Sequence, residues 1–193
     1  MPVPRIVLAL LAAALAAPAA AQVNPFTALG RAISTTLDVR TKEEVAADAE
    51  IGAGASSRLL EDKRAEWAGV SILVFQQHVV LAGTVKNAEA KRIGEQVVRK
   101  DRRIRSLHNE LRTDDAGSFA RDTALEAEIN GSLTSAPGIS SVNMRWSSVD
   151  GHVVLMGVAQ SKAEADGAVE RIRGISGVKS VRSRLRIVPP PKG

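Results

Sequence analysis

"HVVLAG" at residues 78–83 returns as "HVVLMG" at residues 152–157, a shift of 74 positions. Holding that shift aligns Asp48 with Asp122, Leu59 with Leu133, Arg99 with Arg173, Ser106 with Ser180 and Leu111-Arg112 with Leu185-Arg186, without a gap. Self-similarity kept in register over such a length marks the tandem duplication of one structural unit.

Working outward from the two hexamers, the same succession of periodicities appears in each copy. Upstream, Ile51, Ala55 and Leu59 recur every four residues, as do Leu125, Ile129 and Leu133, which predicts an amphipathic helix. Asp48 and Asp122 stand near its start, where an acid complements the helix dipole. Two strand-like runs follow. In copy one they are "VSILVF" and "HVVLAG", joined at Gln76-Gln77; in copy two they are "VNMRW" and "HVVLMG", joined by "VDG". A second helix is expected over residues 88–99 and 162–173, behind Asn87 and Ser161 as N-caps, with Ala165, Ala168, Val169 and Ile172 as its narrow apolar stripe. "IRSLHNELR" and "VKSVRSRLRI" close the copies as strands.

The order is therefore αββαβ, twice. One copy is small for burying a core, yet a three-stranded sheet with both helices on one face is a workable two-layer solution. The expected fold class is α+β: two tandem αββαβ domains, each a three-stranded mixed sheet packed on two helices. The expected boundaries are 45–112 and 119–188, joined by the acidic, turn-rich linker "TDDAGS" at 113–118. A lead-in occupies 22–44 and a Pro-rich tail 189–193.

The N-terminus gives the address. Arg5, the apolar run "IVLALLAAALAAP", and Ala19 and Ala21 in A-x-A spacing form a signal peptide over residues 1–21, with cleavage expected after Ala21. The run is alanine-rich, closed by Pro18 and shorter than the ~20 apolar residues a membrane span needs, so no transmembrane span is expected in the mature chain. Loss of Arg5 lowers the formal charge from +5 to +4. The 193 residues contain no cysteine. That excludes a disulfide framework, a thiolate metal site, a cysteine nucleophile and a lipid-modified cysteine anchor.

The αββαβ plan, the "HVVLMG" hairpin before a Ser/Ala/Glu-rich helix, and the ending "GISGVKSVRSRLRI" resemble the BON domain of bacterial osmotically inducible and nodulation proteins. The doubled layout, with "LHNELR" closing copy one, is similar to the double-BON envelope proteins of Gram-negative bacteria, over residues 45–188. The resemblance implies a periplasmic, non-enzymatic module associated with phospholipid binding, outer-membrane integrity and osmotic or envelope stress. In lipid-binding relatives the contact is attributed to the first helix of the second domain. Here that helix reads "DTALEAEINGSL", in which Ala124, Glu126 and Glu128 suit an anionic interface poorly, so Phe119 and Arg121 at its start are the residues that fit the role.

No enzyme constellation assembles. His78 and His152 share a repeat position, and duplication accounts for the pairing without metal. "GISGVKS" lacks the Gly-Lys-Ser/Thr ending of a phosphate loop and precedes a strand. Glu43-Glu44 and Asp114-Asp115 lie in or beside connectors, as solvated surface acids do. No catalytic residue, cofactor or metal is expected. Trp146, alternating with Met144 and Val142, reads as core; Trp67 reads as a lid, a domain contact or an interfacial anchor.

Basic side chains carry the binding expectations. Period-two alternation puts Val181, Leu185 and Ile187 on one side of the last strand and Arg182, Arg184 and Arg186 on the other, with Arg145 pointing the same way from its own strand. These arginines either hold lipid phosphates on a bare sheet face, or are solvated, or are covered by the first domain and its acids. A second patch is Arg99, Lys100, Arg102 and Arg103 in "VVRKDRRIR", whose cations also complement a helix C-terminus. Export argues against nucleic acid. The expected partner is anionic phospholipid or an outer-membrane protein, in peripheral contact. A client-holding periplasmic chaperone and a structural domain of an envelope assembly or secretion complex are the alternatives.

Overall fold

The computed structural model describes residues 38–114 and 117–189. The signal peptide, most of the lead-in, Asp115-Ala116 of the linker and residues 190–193 of the tail lie outside the described residues.

Helix α1 (Lys42–Glu61) starts inside the segment taken as lead-in, because Thr41 and Glu44 form a reciprocal capping box there: Glu44 N donates to Thr41 Oγ1 at 3.1 Å and Thr41 N donates to Glu44 Oε2 at 3.0 Å. The first-turn acids are thus Glu43 and Glu44, and Asp48 falls in the second turn, too far in for the dipole role expected of it. Strand β1 (Val70–Phe75) pairs antiparallel with β2 (His78–Gly83) across a tight turn in which Gln76 and Gln77 have φ of 50° and 64°. After α2 (Ala88–Val98), capped by Asn87, β3 (Ser106–Asn109) runs parallel to β2.

The second copy repeats the plan with α3 (Phe119–Thr134), β4 (Met144–Val149), β5 (His152–Ala159), α4 (Lys162–Arg173) capped by Ser161, and β6 (Ser180–Ile187). Its first strand begins at Met144 rather than Val142, since Ser141–Asn143 form one turn of 3-10 helix. The sheets are ordered β1-β2-β3 and β4-β5-β6, each mixed. The glycine ending each hexamer is required by close backbone approach. Gly83 and Gly157 have φ of +114° and +125°, and a Cβ on them would stand 1.9 Å from the Gly69 carbonyl oxygen and 2.1 Å from that of Asn143.

One face of each sheet packs on its own two helices. Ile51, Leu59, Val79, Leu81, Ile93 and Val97 build the first core, and Ile129, Leu133, Met144, Leu155, Ala168 and Ile172 the second. Trp146 lies in the second core, as its alternation predicted. Trp67 belongs to the first core: its indole N–H donates to the Asp62 carbonyl at 2.8 Å and its ring lies against Gly94. The other faces of the two sheets meet in a third cluster of Leu73, Phe75, Val80 and Ala82 from one domain and Val154, Met156 and Val158 from the other. Helices cover the outside and the two sheets cover each other.

Candidate functional site

Four of the nine basic residues singled out in sequence, Arg145, Arg182, Arg184 and Arg186, come from the strands at the meeting of the two sheets. Phe75, fully buried, has the Arg40 guanidinium 4.5 Å and the Arg145 guanidinium 5.3 Å from its ring centroid. Arg145 also donates to the carbonyls of Val142 and Met144, at 3.0 and 2.7 Å. Arg40 donates to Asp38 at 2.7 Å and to Asp48 at 3.0 Å in a network whose side chains are almost completely buried. Burial raises the Asp38 carboxyl, but the Arg40 hydrogen bonds and charge outweigh it and hold the group below its ordinary value. Val39 N donates to Asn143 Oδ1 at 3.0 Å, so residues 38–40 strap one domain to the other.

The β6 arginines have two different surroundings. Arg184 Nε donates to Glu110 Oε1 at 2.7 Å and Arg182 Nε lies 3.5 Å from Glu110 Oε2, so one acid of the first domain serves both. Arg186 instead donates to the neutral Gln76 Oε1, at 2.6 Å. The face that alternation assigned to these arginines is therefore met by the first domain at Arg184 and Arg186, of which Arg184 still keeps a side-chain exposure of 37% and Arg182 one of 66%. A strand pattern fixes which way a side chain points but not what arrives opposite it.

Two repeated polar pairs hold the hairpins. Asp48 accepts the turn amides of Gln76 and Gln77 at 2.8 and 2.7 Å, and Asp122 accepts those of Asp150 and Gly151 at 3.0 and 3.3 Å. This is the use of both acids: a carboxylate delivered from the first helix satisfies a turn whose N–H groups have no strand partner. His78 Nδ1 lies 2.6 Å from Ser106 Oγ, and His152 Nδ1 2.7 Å from Ser180 Oγ, tying the middle strand to the last strand in both domains. The repeat register held the signal for both pairs, since Asp, His and Ser recur together. No group of three metal-ligating side chains occurs among the described residues.

In the loop after α2, Arg99 pairs with Glu95 at 2.8 Å, and Arg103 bonds Asp101 at 2.8 Å and Glu50 at 2.6 Å. The Arg103 hydrogen bonds hold the Asp101 carboxyl well below the usual carboxylate range. Arg103 thus ties the loop to α1. Lys100 and Arg102 are exposed and make no ion pair among the described residues.

At the start of α3, Phe119 is 59% exposed and Arg121, in the same turn, is exposed as well. Glu126, counted in sequence against an anionic interface, is turned inward: it is 3% exposed and accepts from Ser148 N at 2.8 Å. The outer surface of this helix is less acidic than its sequence suggests.

A family model described as "BON domain" matches residues 47–115 and again residues 121–189. A protein of Anaplasma centrale, "Uncharacterized protein in gshII 5'region", is 30% identical over 125 residues, 63% of this chain and 83% of its own. "Osmotically-inducible protein Y" of Escherichia coli (strain K12) is 28% identical over 144 residues, 72% of each chain. Among solved structures, the C-terminal domain of CdsD, the structural protein of the type III secretion system of Chlamydia trachomatis, aligns with a TM-score of 0.31 at 16% identity, covering 74% of this chain and 67% of that one.

Proposed function

The chain belongs to the BON-domain family and carries the domain twice; from that premise we propose that it is a non-enzymatic module of the periplasm, exported by residues 1–21, that serves envelope maintenance under osmotic stress by peripheral contact with anionic phospholipid. The observation that carries this reading is the exposed Phe119, with Arg121 exposed in the same first turn of α3, on a helix whose acid Glu126 is buried. The inner sheet faces are occupied by each other, so contact with a large partner falls to the outer surface. The osmotic inducibility in the name of the Escherichia coli relative supports the stress assignment. No helix among the described residues is long and apolar enough to cross a membrane, which suits peripheral attachment.

The energetics suit a reversible contact. Burying Phe119 in the headgroup region contributes about 1.5–3 kcal/mol, and each cation near an anionic surface adds about 1 kcal/mol. Of the candidate cations, Arg121, Lys100 and Arg102 are exposed and make no ion pair among the described residues. The test is co-sedimentation of the mature chain with phosphatidylglycerol and with phosphatidylcholine vesicles, at low and high salt. Binding to the anionic vesicles that weakens with salt and is lost in the double variant Phe119→Ser/Arg121→Ser is expected. Undiminished binding by that variant, or no preference for the anionic lipid, overturns the reading.

A further inference from the structure

The β1–β2 turn of the first domain is held from two sides by elements far apart in sequence. From the second domain, Arg186 Nη2 donates to the Gln76 side chain at 2.6 Å; from the first, the Arg105 amide donates to the Gln77 carbonyl at 2.9 Å. His78 follows the turn directly, and the β2–β3 register sets Ser106 beside His78 and His108 beside Val80, so both histidines lie on the sheet face turned toward the second domain. With Nδ1 of His78 bound to Ser106, Nε2 is that ring's remaining polar atom.

The carboxylates near this cluster are already engaged. Asp48 accepts two turn amides and Arg40, Glu44 accepts from Thr41 N, and Glu110 serves Arg182 and Arg184 further along β6. Neither Arg105 nor Arg186 has an ion-pair partner among the described residues. The cations sense one another. The Arg186 guanidinium is destabilised first by burial and then by Arg105, partly offset by Asp48 and Glu44, and His78 is held below its ordinary value by burial, then by Arg186, Arg105 and His108, partly offset by Asp48. Tertiary structure has brought Arg105 and Arg186 together from the two domains beside two imidazoles; Asp48 and Glu44 offset part of the charge felt by Arg186, but no carboxylate bonds either guanidinium among the described residues.

From this arrangement we infer that Arg105, Arg186, His78 and His108 form a binding site for a phosphate group, which exists only while the two domains are docked. Two guanidinium forks and imidazole N–H donors suit the several acceptor oxygens and negative charge of phosphate. A bound phosphate would also bridge β3 of one domain and β6 of the other. The phosphate can come from a free ion or from a lipid headgroup, and the site is separate from the Phe119/Arg121 contact.

The three histidines of the chain make the test internal, because His152 occupies the position of His78 in the second domain. The mature chain, with its imidazole C–H resonances followed by NMR, is titrated with inorganic phosphate against chloride at matched ionic strength. In a parallel arm it receives phosphatidylglycerol or phosphatidylcholine vesicles. Saturable movement of His78 and His108, with His152 unmoved, is expected. The exposed substitution Arg105→Ser should weaken saturation by about tenfold, and Arg186→Ser should do the same. Response to phosphate alone identifies a free-ion site. Response to phosphatidylglycerol, retained in Phe119→Ser/Arg121→Ser, identifies a headgroup site independent of the α3 contact. Equal, non-saturating drift of all three histidines, or saturation unchanged in Arg105→Ser, overturns the inference.

Discussion

Phe75→Ala should uncouple the two domains. Phe75 is fully buried in the cluster formed by the two inner sheet faces and carries Arg40 and Arg145 over its ring. Burying a Val, Leu, Phe or Met side chain is worth about 1.5–3 kcal/mol. Leu73, Phe75, Val80, Val154, Met156 and Val158 together give about 9–18 kcal/mol as an upper bound for the contact. That is of the order of a whole domain's stability, about 5–15 kcal/mol, so the wild-type chain should unfold in urea as one cooperative unit. Removing a core phenylalanine ring costs about 3–5 kcal/mol, and losing the two cation–ring contacts brings the total to about 4–6 kcal/mol. Because the loss falls on the contact between domains, intrinsic Trp fluorescence should report a split transition. Trp67 and Trp146 sit in separate cores, so Trp→Phe versions assign each step to its domain. Phe119→Ala, at an exposed position, should change stability by no more than about 0.5 kcal/mol. A single transition at an unshifted midpoint in Phe75→Ala would refute the docked arrangement.

Asp122→Ala should destabilise the second domain by about 2–4 kcal/mol in urea denaturation, since the Asp150 and Gly151 amides lose a charged acceptor; a cost below half a kcal/mol on the same measurement contradicts the turn-holding role. Gly157→Ala should lose about 1–3 kcal/mol from its φ of +125° alone, with the Asn143 carbonyl contact added, and a melting temperature equal to wild type would count against the close approach. His78 and His152 are both held below their ordinary value of 6.5, in each case by burial first and neighbouring cations next. Their folded values lie below the unfolded ones, so the stability they contribute is complete above about pH 6.5 and is lost as pH falls through the folded values. Melting temperature should therefore drop between about pH 7.5 and about pH 5, less steeply in His78→Gln/His152→Gln; an identical slope in that variant would disprove the linkage.

Much of the fold is written locally. Helix and strand periods, the Asn87 and Ser161 caps and the hexamer glycines follow from the chemistry of neighbouring residues, and the duplication made each assignment twice. The start of α1 was also local, in the reciprocal Thr41–Glu44 cap, although the apolar repeat from Ile51 onward masked it. The binding candidates were less legible. Glu126 reads as an exposed helix acid until β4 brings the Ser148 amide to it. Arg103 reads as a loop cation until Glu50, in another helix, meets it.

By itself the sequence determined the repeated αββαβ unit and, for β4 and β6, which side chains share a face, because hydrophobic period, capping and turn preferences act over a few residues. Only the tertiary structure decided what lies against the second face of each sheet. Docking the two sheets buries Phe75 beneath Arg40 and Arg145, gives Arg182 and Arg184 a shared acid in Glu110, and leaves Arg186 near Arg105 with no acid bonded to it among the described residues. The physical reason is that a side chain's charge balance depends on the groups within a few ångströms of it, and at this seam those groups come from opposite ends of the chain.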